Sequence, residues 1–196
     1  SNNTNGGLDL KYGINDGFTL DVTLIPDFGQ TVFDNQILNV SPFEVQFDEN
    51  RSFFTEGTEL FNKSNLFYSR RIGDNPSSVS SLTENEIVVE SPTRVQMLNA
   101  SKISGRTAKG LGIGFFNAIT EKTYATVEDT LTGKTSEKLI EPLSNYNVLV
   151  LDQVLKNNSY ITFTNTNVSR QGDAKDANIE KLQIQIGTKE NRYTLY

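Results

Sequence analysis

Five acidic residues and five phenylalanines lie in one short stretch, "SPFEVQFDENRSFFTEGTELF", residues 41–61. Glycoside hydrolysis needs two carboxyl groups, one acting as acid and the other as nucleophile or base. In an extended chain, Glu44 and Asp48 would share one face, with Phe43, Val45 and Phe47 on the other. One alternative for this protein is a carboxylate-based glycan hydrolase. Its candidate catalytic residues, which we would test first, are Glu44 and Glu56.

The same stretch also fits an ordered loop without catalysis, and we favour that interpretation. Phe47, Phe53, Phe54 and Phe61 would hold the loop in place by burial, each contributing about 1.5–3 kcal/mol. Guanidinium groups are forked partners for carboxylates. The expected ion-pair network, or ligand-binding group, consists of Asp48, Glu49, Arg51, Glu59, Arg70 and Arg71, with Glu56 as a further partner.

Arg70 and Arg71 are adjacent in "YSRRIG", residues 68–73. On a strand they would point to opposite faces, so one could line a polar lumen and bind an anionic ligand. The simpler interpretation, which we favour, is that both pair with the acidic stretch.

The composition excludes several classes of function. The chain has no Cys and no His, which removes disulfides, thiolate metal sites, serine triads and His-based zinc sites. Its net charge of −6 argues against nucleic acid as a partner. We expect no cofactor and no metal ion, since Asp173 and Asp176 do not have EF-hand spacing. The sequence has no initiator Met and stops within an apparent strand, so we expect a fragment of a longer protein.

Alternating apolar and polar residues predict an all-β, antiparallel fold. Eight strand candidates form four hairpins with short polar turns. They are residues 8–14 and 18–24, 97–105 and 111–119, 145–155 and 160–168, and 179–187 and 192–196.

The spacing between these hairpins predicts an outer-membrane β-barrel. Short turns alternate with longer connections at 25–97, 120–143 and 169–178, and tight turns at one end with long loops at the other are typical of such barrels. The alternative is a soluble β-sandwich or barrel, which shows the same alternation. We expect a single β-domain, 1–196, in which the long inserted loop, 25–97, forms a plug or a surface loop.

Glycines in "SGRTAKGLGIG" do not have the spacing of a phosphate-binding loop. Gly110, Gly112 and Gly114 instead predict a hairpin whose inward face lacks side chains, where strands bend or a plug approaches closely.

Several motifs together resemble a known family: "DLKYGINDGFTLDVTLIPDFGQ", "LFYSRRIG", "LNASKISGRTAKGLGIGFFNAIT", "PLSNYNVLVLDQVLKNNS" and the acidic stretch above. The sequence resembles the uncharacterised barrel-like domain of unknown function 5916. That domain follows a family-nine-type carbohydrate-binding module in envelope proteins of Gram-negative bacteria. The resemblance implies an outer-membrane barrel of unknown activity and supplies no catalytic residues.

The predicted function is therefore part of an outer-membrane barrel that binds or handles glycans at the cell surface. The expected partners are outer-membrane lipid, glycan and the rest of the parent chain, including the carbohydrate-binding module, and the expected location is the outer membrane. The alternatives are the hydrolase above and a soluble periplasmic binding module.

Overall fold

A computed structural model describes residues 7–25, 47–76, 82–189 and 194–195. The fold is all-β and antiparallel, with eleven strands in these ranges. The strands are β1 (Leu8–Asn15), β2 (Phe18–Leu24), β3 (Glu86–Glu90), β4 (Met97–Arg106), β5 (Leu111–Thr120), β6 (Thr123–Asp129), β7 (Thr135–Glu141), β8 (Ser144–Val154), β9 (Tyr160–Arg170), β10 (Ala177–Gly187) and β11 (Thr194–Leu195).

Eight strands form one large sheet in the order β1-β2-β4-β5-β8-β9-β10-β11. All eight strand candidates from the sequence are found in this sheet, the last of them, 192–196, at the described residues 194–195. Within the described ranges its edges are β1 and β11, and the sheet is not closed into a barrel.

A second sheet has three strands, in the order β3-β6-β7, and was not predicted from the sequence. Its strands lie in stretches that were interpreted as connections. The β6–β7 hairpin continues the β5–β8 pair, because β6 begins three residues after Thr120 and β7 ends three residues before Ser144.

The short turns of the large sheet lie together at one end. The Arg106 N–H donates to Gly17 O over 2.9 Å, and the Val154 N–H donates to Gly110 O over 3.0 Å. The longer connections meet at the other end, where the Gln171 N–H donates to Leu143 O over 2.9 Å.

Residues 47–73 form a segment that lies on one face of the large sheet, and we name it the cover segment. It contains the short helices α1 (Ser52–Thr55) and α2 (Glu59–Asn62) and a 3-10 turn at Ser69–Arg71. Arg70 and Arg71 lie in this turn, so the strand geometry considered for "YSRRIG" does not apply to them.

No helix in the described part of the chain is long and apolar enough to cross a membrane.

The covered face of the large sheet, which carries Lys102, Phe116 and Val150, packs against the cover segment. Aromatic rings form the centre of this contact, with Phe67 and Phe116 5.0 Å apart between ring centroids. The buried core consists of Phe54, Leu60, Phe61, Ile72, Met97, Ala100, Phe116, Ala118, Val148 and Val150. The expected burial of Phe54 and Phe61 is thus confirmed.

The close approach predicted at the β5 glycines is also confirmed at two of the three. A Cβ on Gly112 would lie 2.8 Å from Leu60 Cδ2, and one on Gly114 would lie 3.1 Å from Phe61 Cε1. Helix α2 therefore needs these glycines in order to lie directly on β5. Gly110 has φ +84° in the adjoining turn instead.

The opposite face of the large sheet, which carries Ile103, Phe115 and Leu151, is the open face. Many of its large apolar side chains are exposed: Leu8, Leu10, Tyr12, Ile14, Leu24, Phe115, Leu151, Ile161, Leu182, Ile184 and Ile186.

Candidate functional site

The cover segment is the candidate functional site, because buried charges join it to itself and to the sheet. Arg51 is 6% exposed and binds Glu49 through two parallel contacts, Nε to Oε1 at 2.8 Å and Nη2 to Oε2 at 2.7 Å. The same guanidinium donates to Ile72 O at 2.6 Å and Ser69 O at 2.8 Å. It thereby ties the beginning of the segment to its end.

Glu49 is held ionised by this arrangement. Burial raises the pKa of its carboxyl, but hydrogen bonds from Arg51 and Ser69, together with the Arg51 charge, outweigh burial and leave the pKa below its ordinary value. The Ser69 hydroxyl donates to Glu49 Oε2 at 2.5 Å. The pair is therefore a fixed structural contact, with both charges satisfied.

Lys102 on β4 fastens helix α1 to the sheet. Its ammonium donates to Phe53 O, and to Glu56 O at 2.5 Å, so it satisfies backbone carbonyls around the helix end. It lies 3.6 Å from Asp21 Oδ2 on the neighbouring strand β2. Although Lys102 is only 2% exposed, its charge thus has partners on the segment and on the sheet.

Asp152 on β8 fastens helix α2 in the same way. It is fully buried at 0% exposure, and its Oδ2 accepts from Lys63 Nζ at 2.8 Å and from Arg106 Nη2 at 2.7 Å. The Thr162 hydroxyl on β9 donates to the other oxygen at 2.6 Å. On β10, Lys181 Nζ donates to Ser64 O at 2.8 Å and extends the attachment.

The candidate catalytic residues are placed as follows. Glu44 lies outside the described residues. Glu56 is exposed and forms an ion pair with Lys11 on β1 at 2.6 Å. The Lys11 hydrogen bond and charge lower the pKa of Glu56, which favours an ion-pairing role over that of a general acid.

Among the other residues of the expected network, Glu59 pairs with a cation outside the set that was expected. Glu59 lies 3.5 Å from Arg106 on β4. Arg71 lies over the ring of Tyr68 at 5.8 Å, and Asp48 is exposed. The structure therefore pairs Glu56 and Glu59 with cations of the sheet and Glu49 with Arg51.

A cavity of about 480 Å³ lies between the end of the cover segment and strands β8–β10. Its lining combines rings with charges of both signs and includes Tyr68, Arg71, Asp74, Glu141, Tyr146 and Arg170. The volume is within the range of small-molecule sites.

One comparison with known proteins identifies the chain. The family model described as a domain of unknown function, DUF5916, matches residues 1–196. The chain belongs to the DUF5916 family. No curated protein and no solved structure matches it. Membership confirms the uncharacterised domain expected from the motifs, while the link to a carbohydrate-binding module and to Gram-negative envelopes stays a prediction.

Several residues that hold the DUF5916 cover segment in place were missed by sequence reasoning: Lys63, Lys102, Arg106, Asp152 and Lys181. On the strands they occupy the polar positions of an alternating pattern, which usually face solvent. Lys63 and Asp152 are 89 residues apart in sequence. The one sequence signal for this attachment was the aromatic stretch, because a segment that buries its rings must pack on one face of a sheet.

Proposed function

We propose that this DUF5916 domain is part of an outer-membrane β-barrel. Its open face would contact lipid, and its covered face would face a lumen that the cover segment fills as a plug. The observation that carries the proposal is the contrast between the two faces. Apolar side chains are exposed on the open face, whereas Lys102 and Asp152 are buried on the other. An apolar exterior and a polar, plugged interior are typical of outer-membrane barrels.

The apolar band of the open face runs obliquely across the strands, as lipid contact requires of tilted strands. On β2 it spans Phe18–Leu24 and is centred on Asp21. Following register partners from strand to strand, the position on β10 level with Asp21 is Ile179. The intermediate partners are Lys102, Phe116, Val148 and Thr166. On β10 the band spans Leu182–Ile186 and is centred on Ile184 instead.

The centre of the band is thus displaced by five residues, from Ile179 to Ile184, over the five strand-to-strand steps from β2 to β10. With about 3.3 Å per residue and about 4.8 Å per strand, the band is inclined by roughly 35° to the line perpendicular to the strands. Strands of outer-membrane barrels are tilted by about 35–45°, so a horizontal lipid layer would cross them at this angle.

The position of the turns supports the same orientation. The β1–β2, β4–β5 and β8–β9 turns share one end, which would face the periplasm. The β6–β7 hairpin projects from the other end, which would face outward. Outer-membrane lipid is therefore one proposed partner, and a glycan outside the cell is the other.

Labelling of single cysteines tests this topology; the 196 residues have no Cys, and any Cys elsewhere in the full-length protein is replaced by Ser. We choose Asp16→Cys in the β1–β2 turn and Leu131→Cys at the β6–β7 tip, where Leu131 is 76% exposed. In the full-length protein on intact cells, a membrane-impermeant maleimide should label position 131 alone. Position 16 should react only after the outer membrane is opened.

Two outcomes would contradict the proposal. One is labelling of both positions on intact cells. The other is a monodisperse monomer in sedimentation without detergent, which would mean that another layer covers the open face and would favour the soluble module.

A further inference from the structure

A row of amide side chains crosses the open face and meets the edge of its apolar band on β5 and β8. Register places Asn117 on β5 opposite Asn147 on β8, Asn147 opposite Asn167 on β9, and Asn167 opposite Asn178 on β10. Ser101 on β4 continues the row. We name these four asparagines the amide row.

Hydrogen bonds organise the amide row without using all of its capacity. Asn117 Nδ2 donates to Asn147 Oδ1 at 2.8 Å and to Asn145 Oδ1 at 2.6 Å. Asn165 Nδ2 donates to Asn178 Oδ1 at 2.8 Å. Each carboxamide has two N–H donors and an oxygen that accepts twice, and the row is part-exposed or exposed. Oriented donors and acceptors therefore remain for a partner.

The scarcity of charged residues around the amide row indicates an uncharged partner. The open-face positions described for β2, β4, β5, β8, β9 and β10 carry no Lys or Arg, and Glu180 is their one acid. Phosphate groups are bound mainly by cations, so an anionic headgroup has no counter-charge here. Hydroxyl groups both donate and accept, which matches carboxamides.

On β5 and β8 the amide row lies directly beside apolar side chains, whereas on β9 and β10 Asn165 and Glu180 lie between the row and the apolar band. The next open-face residue toward the short turns is Phe115 on β5 and Leu149 on β8. If the apolar band contacts acyl chains, Asn117 and Asn147 lie at the level of the headgroups. This step rests on the proposed function.

We infer that the amide row binds the uncharged saccharide headgroup of a glycolipid at the outer surface of the membrane. The two expected partners, lipid and glycan, would then be parts of one molecule bound at one site. The row contacts hydroxyls through its carboxamides, while the acyl chains of the same lipid lie on the band below.

The test uses the full-length protein in nanodiscs of phosphatidylcholine mixed with either digalactosyldiacylglycerol or phosphatidylglycerol. Lipid retained after mild detergent extraction is counted by mass spectrometry. The wild type should retain digalactosyldiacylglycerol in preference to both other lipids. The variant Asn117→Ala/Asn147→Ala/Asn167→Ala should lose about tenfold of that preference, as expected for a few lost hydrogen bonds.

Two further variants keep the test decisive. Asn50→Ala/Asn62→Ala, which removes two exposed amides of the cover segment, should retain the glycolipid like the wild type. Asn167→Lys adds a cation to the row and should shift retention toward phosphatidylglycerol, a gain that a poorly folded protein would not show.

Three results would overturn the inference. They are equal retention of all lipids by the wild type, unchanged preference in the alanine variant, or no shift with Asn167→Lys. Failure of the wild type to enter any nanodisc would overturn the proposed function as well, so the two failures are distinguishable.

Discussion

Phe115 and Phe116 are adjacent on β5 but meet opposite surroundings. Phe116 is 1% exposed among the rings of the cover segment, whereas Phe115 is 42% exposed on the open face. The covered face also buries Lys102 and Asp152, while the open face leaves aliphatic side chains uncovered. In this sheet, therefore, some polar side chains are buried and some apolar ones are exposed. The polar side chains are buried where the cover segment lies on them.

The largest loss of stability should come from Phe116→Ala, compared with Phe115→Ala on the other face. Phe116→Ala should lower the free energy of unfolding by about 3–5 kcal/mol, because it leaves a cavity in the core. Phe115→Ala should cost less than about 1.5 kcal/mol, because lipid or detergent fills the space. Chemical denaturation in detergent measures both losses. Equal losses would mean that protein packs on both faces.

Asp152→Asn should have the next largest effect, a loss of about 3 kcal/mol, because it leaves Lys63 and Arg106 without their buried partner. The matched control is Asp173→Asn, an exposed position where the change should stay within about 0.5 kcal/mol. Lys63→Met should cost less in the Asp152→Asn background than in the wild type. Additive losses in this double-mutant cycle would show that the pair is not coupled.

Glu49→Gln should cost about 1.5–3 kcal/mol at neutral pH, because it removes charge-assisted hydrogen bonds to Arg51. The folded pKa of Glu49 is lowered, so its contribution is fully present above the ordinary pKa near 4.5 and is lost as the pH falls through the lowered value. Subtracting the pH–stability curve of the variant from that of the wild type isolates this dependence. A difference that stays constant into acid would exclude the pair as its source.

Gly112→Ala should have the smallest effect, a loss of about 1–3 kcal/mol, since its Cβ would press on Leu60 of helix α2. Gly13→Ala is the control on β1, where a Cβ meets nothing within 4 Å and stability should be unchanged or slightly raised. Limited proteolysis should cut the cover segment faster in Gly112→Ala alone. Equal digestion of both variants would argue against the close approach.

The hairpins of the large sheet were predictable because alternation and short polar turns are local signals. The β6–β7 hairpin was not, because the small and polar residues Thr123, Ala125 and Thr126 give a weak alternation in a stretch that a connection also fits. The glycines of β5 and the rings of the acidic stretch each indicated a close contact. Nothing local showed that Phe61 and Gly114 would meet.

The partners of the candidate site were less predictable than its residues. The carboxylates of the acidic stretch were expected to pair with nearby arginines, and Glu49 does pair with Arg51. Glu56 and Glu59 instead pair with Lys11 and Arg106, which the sheet brings together from distant parts of the sequence. Ion pairs depend on which strand lies beneath a segment, and a single sequence does not determine that.

The lipid contact of the open face is tested most directly by spin labels on β10. Single cysteines at Leu182 and Ile184 on the open face, and at Lys181 and Gln183 on the covered face, would carry a nitroxide in the lipid-reconstituted full-length protein. Collisions with oxygen and with a water-soluble nickel chelate would be measured at each position. The account predicts that positions 182 and 184 are accessible to oxygen and protected from the chelate, whereas positions 181 and 183, which are half-buried on the covered face, are less accessible to oxygen. Free access of the chelate to positions 182 and 184 would contradict it.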